Sequence, residues 1–98
     1  MSPHPLGNAF IRCLRRKNRS PETLRQYALA LKNFFAFTNV PLSQVTRADL
    51  EQWQQHLADR GLAVSTREET GRKILLFFNW LEEAGHIFAG PARELPLP

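Results

Sequence analysis

The sequence predicts an all-α fold, a compact bundle of four to five helices. Three observations support this. Apolar residues recur every three or four positions in four separate segments; residues that start or stop helices bracket those segments; and no stretch alternates apolar with polar residues as a half-buried strand does. Short connections and the absence of an internal repeat leave a helical bundle as the simplest way to bury the four stripes.

The elements follow in order. Residues 1–7, with Pro3, Pro5 and Gly7 and no periodicity, read as a disordered lead-in. Phe10, Cys13 and Leu14 set a short amphipathic helix over Asn8 to Lys17, ending near Asn18. Ser20-Pro21-Glu22-Thr23 then opens the second helix: Ser20 caps, Pro21 suits the first helical position, and Glu22 falls in the first turn. Its stripe of Leu24, Tyr27, Ala28, Leu31, Phe34 and Phe35 runs to about Thr38, and a loop containing Pro41 follows over residues 39–45. Thr46 with Asp49 starts a third helix, Leu50, Trp53 and Leu57 form its buried stripe, and Gly61 closes it. Ser65 with Glu68, or Thr66 with Glu69, opens the fourth, in which Thr70, Ile74, Phe77, Phe78 and Leu81 share a face that ends at Gly85. Gly71 costs this helix roughly 1 kcal/mol against Ala, so a close approach by another helix or a ligand is expected there. Residues 8–90 thus form the domain, and residues 91–98, with Pro91, Pro96 and Pro98, read as a linker toward something longer.

The composition narrows the function classes. Ninety-eight residues, 43% hydrophobic and 22% charged, suit one globular core, and seven Phe, two Trp and one Tyr fill it generously. Cys13 is the single cysteine, so no intramolecular disulfide forms, and no Cys/His cluster offers a metal site. No apolar run nears the ~20 residues of a membrane span, and no signal-peptide pattern is present, so a cytoplasmic setting is expected. His4, His56 and His86 are scattered, and no nucleophile–base or paired-carboxylate arrangement is credible, so this chain alone is expected to catalyse nothing and to need no cofactor. The net charge of +4 is unevenly spread. Residues 1–32 hold Arg12, Arg15, Arg16, Lys17, Arg19, Arg25 and Lys32 against Glu22 alone, a local charge of +6, whereas residues 33–98 sum to −2. Such a concentration suits a partner that is a polyanion, although basic N-terminal segments are also often merely solvated.

The order of these signals resembles the N-terminal SAM-like, or core-binding, domain of tyrosine recombinases and phage integrases, including the Xer type. The resemblance is carried by Ser20-Pro21-Glu22-Thr23-Leu24-Arg25-Gln26-Tyr27 continued by Leu31 and Phe34-Phe35, and by Val45-Thr46-Arg47-Ala48-Asp49-Leu50 with Gly61. Ser65-Thr66-Arg67, Ile74 and Phe77-Phe78-Asn79-Trp80-Leu81 with Gly85 continue it, and it ends on Gly85-His86-Ile87 and Gly90-Pro91-Ala92, where Gly90 replaces the usual Asn. It spans about residues 8–95. What it implies is a DNA-binding domain that grips a recombination half-site opposite a separate catalytic domain, which carries the Arg, Lys, His and nucleophilic Tyr set. The implied partners are therefore double-stranded DNA, the catalytic domain of the same polypeptide and the other protomers of a recombinase tetramer.

The resemblance also implies that the second and fourth helices face the major groove. The residues agree: both helices begin with hydroxyls and free amides suited to phosphate, and both carry basic residues off the apolar stripe. The candidate DNA-binding residues are Ser20, Thr23, Arg25, Gln26 and Lys32 on the second helix, and Thr66, Arg67, Arg72 and Lys73 on the fourth. Plainer readings stand beside these. Ser20, Ser65 and Thr66 serve equally as caps, Arg25 and Lys32 as a solvated face, and Arg67 as a local partner of Glu68 or Glu69. Tyr27, Trp53, Phe77 and Phe78 read as packing groups. Leu75, Leu76 and Trp80 lie off the main stripe and either bury against the first helix or form a protein-facing surface. In the alternative reading, a helical protein-interaction module without DNA binding, Leu76 and Trp80 are the anchors. A helix-turn-helix repressor fits less well, given the length of the second and fourth segments and the loop after Thr38.

Overall fold

The computed structural model describes residues 4–38 and 40–87. The proposed linker over residues 91–98, the Gly90-Pro91-Ala92 motif and residues 1–3 of the lead-in lie outside that range. Four helices make up the domain: α1 Pro5–Arg16, α2 Pro21–Phe37, α3 Arg47–Asp59 and α4 Val64–Glu83. A 3-10 turn at Leu42–Gln44 stands between α2 and α3, and there is no strand among the described residues.

The first helix begins three residues earlier than its apolar spacing suggests. His4 takes the N-cap position, its Nδ1 accepting a hydrogen bond from the Leu6 amide at 3.1 Å, and Pro5 occupies the first helical position. The His4 ring also stacks on Phe35, with centroids 4.7 Å apart. Pro5, Leu6 and Gly7 are therefore a helical turn and not a lead-in, with Gly7 buried and Leu6 packed on the core.

Three of the four helices stop in one way. After α1, Asn18 adopts the left-handed conformation (φ 61°), its amide donates to the Arg15 carbonyl, and the Arg19 amide donates back to the Leu14 carbonyl at 3.3 Å. Gly61 and Gly85 repeat that paired closure after α3 and α4 with φ of 85° and 82°. Each closure reverses the chain within two or three residues, which is what keeps the connections short.

The start signals divide. Ser20 caps α2, its Oγ accepting from the Thr23 amide at 3.2 Å. Thr46 and Asp49 form the reciprocal capping box of α3. The fourth helix departs from expectation: it starts at Val64 behind Ala63, with no side-chain cap, so Ser65 and Thr66 lie inside its first turn. Only Leu62 and Ala63 separate Gly61 from α4, and Leu62 is held by its amide donating to the Leu57 carbonyl, so the helix begins before either hydroxyl residue reaches the cap position. The loop after α2 also does more than connect, because Leu42 and Val45 are both buried in the core.

Packing centres on α2 and α4, with α1 against both and α3 against α4. Phe34 is fully buried and meets Trp53 edge-on at 5.3 Å and Phe78 at 5.8 Å. Phe10 brings α1 into the same aromatic cluster through Tyr27, Phe77 and Trp80. Leu75 is buried and Trp80 half-buried against Phe10, whereas Leu76 stays exposed, so the off-stripe residues divide between the two fates open to them. Gly71 has the expected close neighbour: a Cβ there would lie 2.6 Å from Gln54 Nε2, which donates to the Arg67 carbonyl at 3.2 Å.

Candidate nucleic-acid interface

Where α2 packs on α4, the two helices leave a groove of about 300 Å³ between them. Gln26, Leu29, Ala30 and Asn33 line it from α2; Thr66, Glu69, Thr70 and Lys73 line it from α4, with Leu62 at one end. On each helix these residues recur at helical spacing, so a single face of α2 meets a single face of α4.

Three of the nine predicted residues, Gln26, Thr66 and Lys73, come together in this groove. Lys73 is half-buried with its ammonium 5.6 Å from the centre of the Tyr27 ring, a cation–π placement that steadies a long side chain, and it makes no ion pair among the described residues. Thr66 is exposed, and its carbonyl accepts from Thr70 Oγ1 at 2.8 Å. The first-turn amides around Thr66 have no side-chain cap, so they present unpaired donors together with the positive end of the helix dipole. Glu69 sets a carboxylate in the same groove, so its charge is mixed and not uniformly positive.

The rest of the set lies elsewhere. Ser20 and Thr23 form the start of α2, where Ser20 Oγ also donates to Thr23 Oγ1 at 2.9 Å. Arg25 pairs with Glu22 at 2.7 Å, and Gln26 Nε2 reaches the other oxygen of the same carboxylate at 3.3 Å. Both partners of that pair are largely exposed, so it is worth only a few tenths of a kcal/mol. Lys32 is exposed and does not line the groove.

Arg67 and Arg72 line a second hollow of about 200 Å³, between α3 and α4, with Leu50, Trp53, Gln54 and Leu75. Arg67 makes no ion pair with Glu68 or Glu69; it is half-buried, and its Nε is enclosed without a hydrogen-bond partner, as is Trp53 Nε1. Arg72 is exposed. Sequence reasoning passed over Asn33, although it stands seven residues from Gln26 and four from Leu29 and so shares their face; that spacing was the available signal. Tyr27, Trp53, Phe77 and Phe78 all pack in or against the core, as their stripe positions imply. Among the described residues no group of three His, Cys, Asp or Glu side chains could hold a metal ion.

Fold and surface together define a small all-α domain whose two central helices bring polar and cationic side chains to a shared groove. A family model described as phage integrase, N-terminal SAM-like domain, matches residues 6–85, and the chain belongs to that family. The comparison with curated proteins and the comparison with solved structures gave no match.

Proposed function

We propose that this chain is the DNA-binding domain of a site-specific tyrosine recombinase or integrase, gripping duplex DNA of the recombination half-site through α2 and α4. The observation that carries this reading is the α2–α4 groove: Gln26, Thr66 and Lys73, separated by forty or more residues between the helices, meet along one surface beside the uncapped start of α4. Family membership supports the same conclusion. Lys73 and the free amides of α4 would take backbone phosphates, and Gln26 and Asn33 carry amides able to reach base edges. Arg25 would leave Glu22 for a phosphate. Arg72, exposed at the rim of the α3–α4 hollow, and Lys32, exposed on α2, would extend the contact beyond the groove.

In this reading the chain binds and positions, and chemistry belongs to a catalytic domain of the same polypeptide, with further protomers as partners on the DNA and the cytoplasm as the setting. No helix among the described residues is long and apolar enough to cross a membrane. For the protein-interaction alternative, Leu76 is exposed and Trp80 half-buried against Phe10.

The test is duplex binding as a function of salt for the chain and for Arg72→Ala/Lys73→Ala. The unaltered chain should lose affinity with rising salt with a slope of about 0.9 in log K per phosphate neutralised. The double variant should bind more weakly at low salt, with a shallower slope and a nearly unchanged thermal midpoint, since neither side chain belongs to the core. Equal binding by variant and parent would remove α4 from the interface.

A further inference from the structure

The longest run of uncompensated charge lies outside the groove. Between positions 12 and 19 stand Arg12, Arg15, Arg16, Lys17 and Arg19, with no acidic residue among them. Arg12 and Arg16 are exposed on the side of α1 opposite its buried Phe10, Ile11 and Leu14, and Arg15 is exposed at the edge of that face beside Ile11. Lys17 and Arg19 follow at the turn, where the left-handed Asn18 folds the chain back on the end of α1 and delivers it straight to the Ser20 cap of α2. Five cations are thus gathered at one elbow, and none of the five is ion-paired among the described residues.

Helix-dipole compensation accounts for Arg15 and Arg16 in the last turn of α1 and for Lys17 at its C-cap, but not for all five. Cations favour a helix C-terminus within its last turn only, whereas Arg12 lies upstream of that turn and Arg19 lies beyond the helix. The rule is not general in this molecule: α3 has His56 in its last turn and Arg60 at its C-cap, but α2 has no basic residue in its last turn and α4 ends on Glu82 and Glu83. Side chains of like charge three and four residues apart repel, and a partner with closely spaced negative charges relieves that repulsion.

The elbow adjoins the groove. Lys17 and Arg19 edge a recess with Tyr27, Trp80 and Glu83, and the same Tyr27 ring carries Lys73 of the groove. Glu83 offsets part of the charge inside the recess; Arg12, Arg15 and Arg16 lie outside it. We propose that the α1–α2 elbow is a second contact surface for duplex DNA, taking backbone phosphates through Arg12, Arg15, Arg16, Lys17 and Arg19 and continuing the track of the groove past Tyr27. The proposal rests on the duplex-binding reading above and adds to it a sequence-independent anchor. Cations on flexible stems at an exposed turn take backbone phosphates, contacts that position a duplex without reading its bases.

The experiment measures binding of the whole chain to two duplexes of unrelated sequence over a salt series, beside Arg12→Gln/Arg15→Gln/Arg16→Gln/Lys17→Gln and a charge-keeping Arg12→Lys/Arg15→Lys/Arg16→Lys. The glutamine variant should show a slope smaller by about two to four, at about 0.9 per phosphate contact, and a loss of tenfold or more at low salt that is alike on both duplexes. The lysine variant should keep the slope. If circular dichroism shows that the glutamine variant has lost helix, single Arg12→Gln and Arg16→Gln, each expected to lower the slope by about one, decide instead. Parental slope and affinity in the neutralised variants would overturn the elbow and leave the groove standing; a loss confined to one duplex would overturn it as well. A parent chain that binds neither duplex would overturn the duplex-binding reading itself.

Discussion

Single side chains here divide into those that hold the fold and those that remain available. Phe34 belongs to the first kind: fully buried and ringed by Phe35, Trp53 and Phe78, it joins α2 to both α3 and α4. Truncating such a ring removes its transfer free energy and leaves a cavity, at a cost of about 3–5 kcal/mol. A domain of this size has only about 5–15 kcal/mol in total. Phe34→Ala should therefore lower the thermal midpoint by roughly 15 °C or more, read by circular dichroism at 222 nm; a drop of a few degrees would show that the cluster repacks. Lys73 is of the second kind. Its ammonium lies over Tyr27, no carboxylate among the described residues pairs with it, and it can serve a phosphate without first breaking such a pair. Arg67 shows how one position of difference changes a role. A single residue after Thr66 turns the side chain by about 100° around the helix, away from the groove and toward α3.

At the scale of elements, starts and stops govern where each polar group ends up. The box of Thr46 and Asp49 fixes the start of α3 and hence the register of Leu50, Trp53 and Leu57 in the core. Thr46→Ala removes the two hydrogen bonds of its hydroxyl, from the Asp49 amide and to the Asp49 carboxylate, and should cost about 1 kcal/mol, a midpoint lower by about 4–8 °C, with the helix content at low temperature unchanged; a neutral result would mean that packing alone sets this boundary. Much of this level was legible in the sequence, because Ser20-Pro21, Thr46-Asp49, Gly61 and Gly85 act through local chemistry that needs no neighbour. Where expectation failed, tertiary context decided. His4 is an unusual cap, and its ring is placed by Phe35, thirty-one residues away. Ala63 became the cap of α4 because the closure at Gly61 spent the intervening residues first. The site was less legible than the fold for the same reason. Periodicity shows which residues leave the core stripe, but only the packing of α2 on α4 selects Gln26, Asn33, Thr66 and Lys73 from them and sends Arg67 to the other flank.

For the whole molecule, the relevant quantities are shape and the placement of charge. The domain measures 34 × 30 × 25 Å, so its longest dimension spans about one turn of B-form duplex. The excess positive charge of residues 1–32 falls on α1, the elbow and Lys32 of α2, while α3 carries Asp49, Glu51 and Asp59 against Arg47 alone. A duplex is thereby offered one attractive flank and a poorer one at α3. The most direct test of the central claim, that α2 and α4 hold the duplex, is an NMR titration of the ¹⁵N-labelled chain with a short duplex, followed by backbone and side-chain amide shifts. The account predicts perturbations that cluster at Gln26, Asn33, Thr66 and Lys73 and extend to the first turn of α4. Shifts centred instead on Leu50, Gln54 and the outer face of α3, or no shifts at low salt, would contradict it.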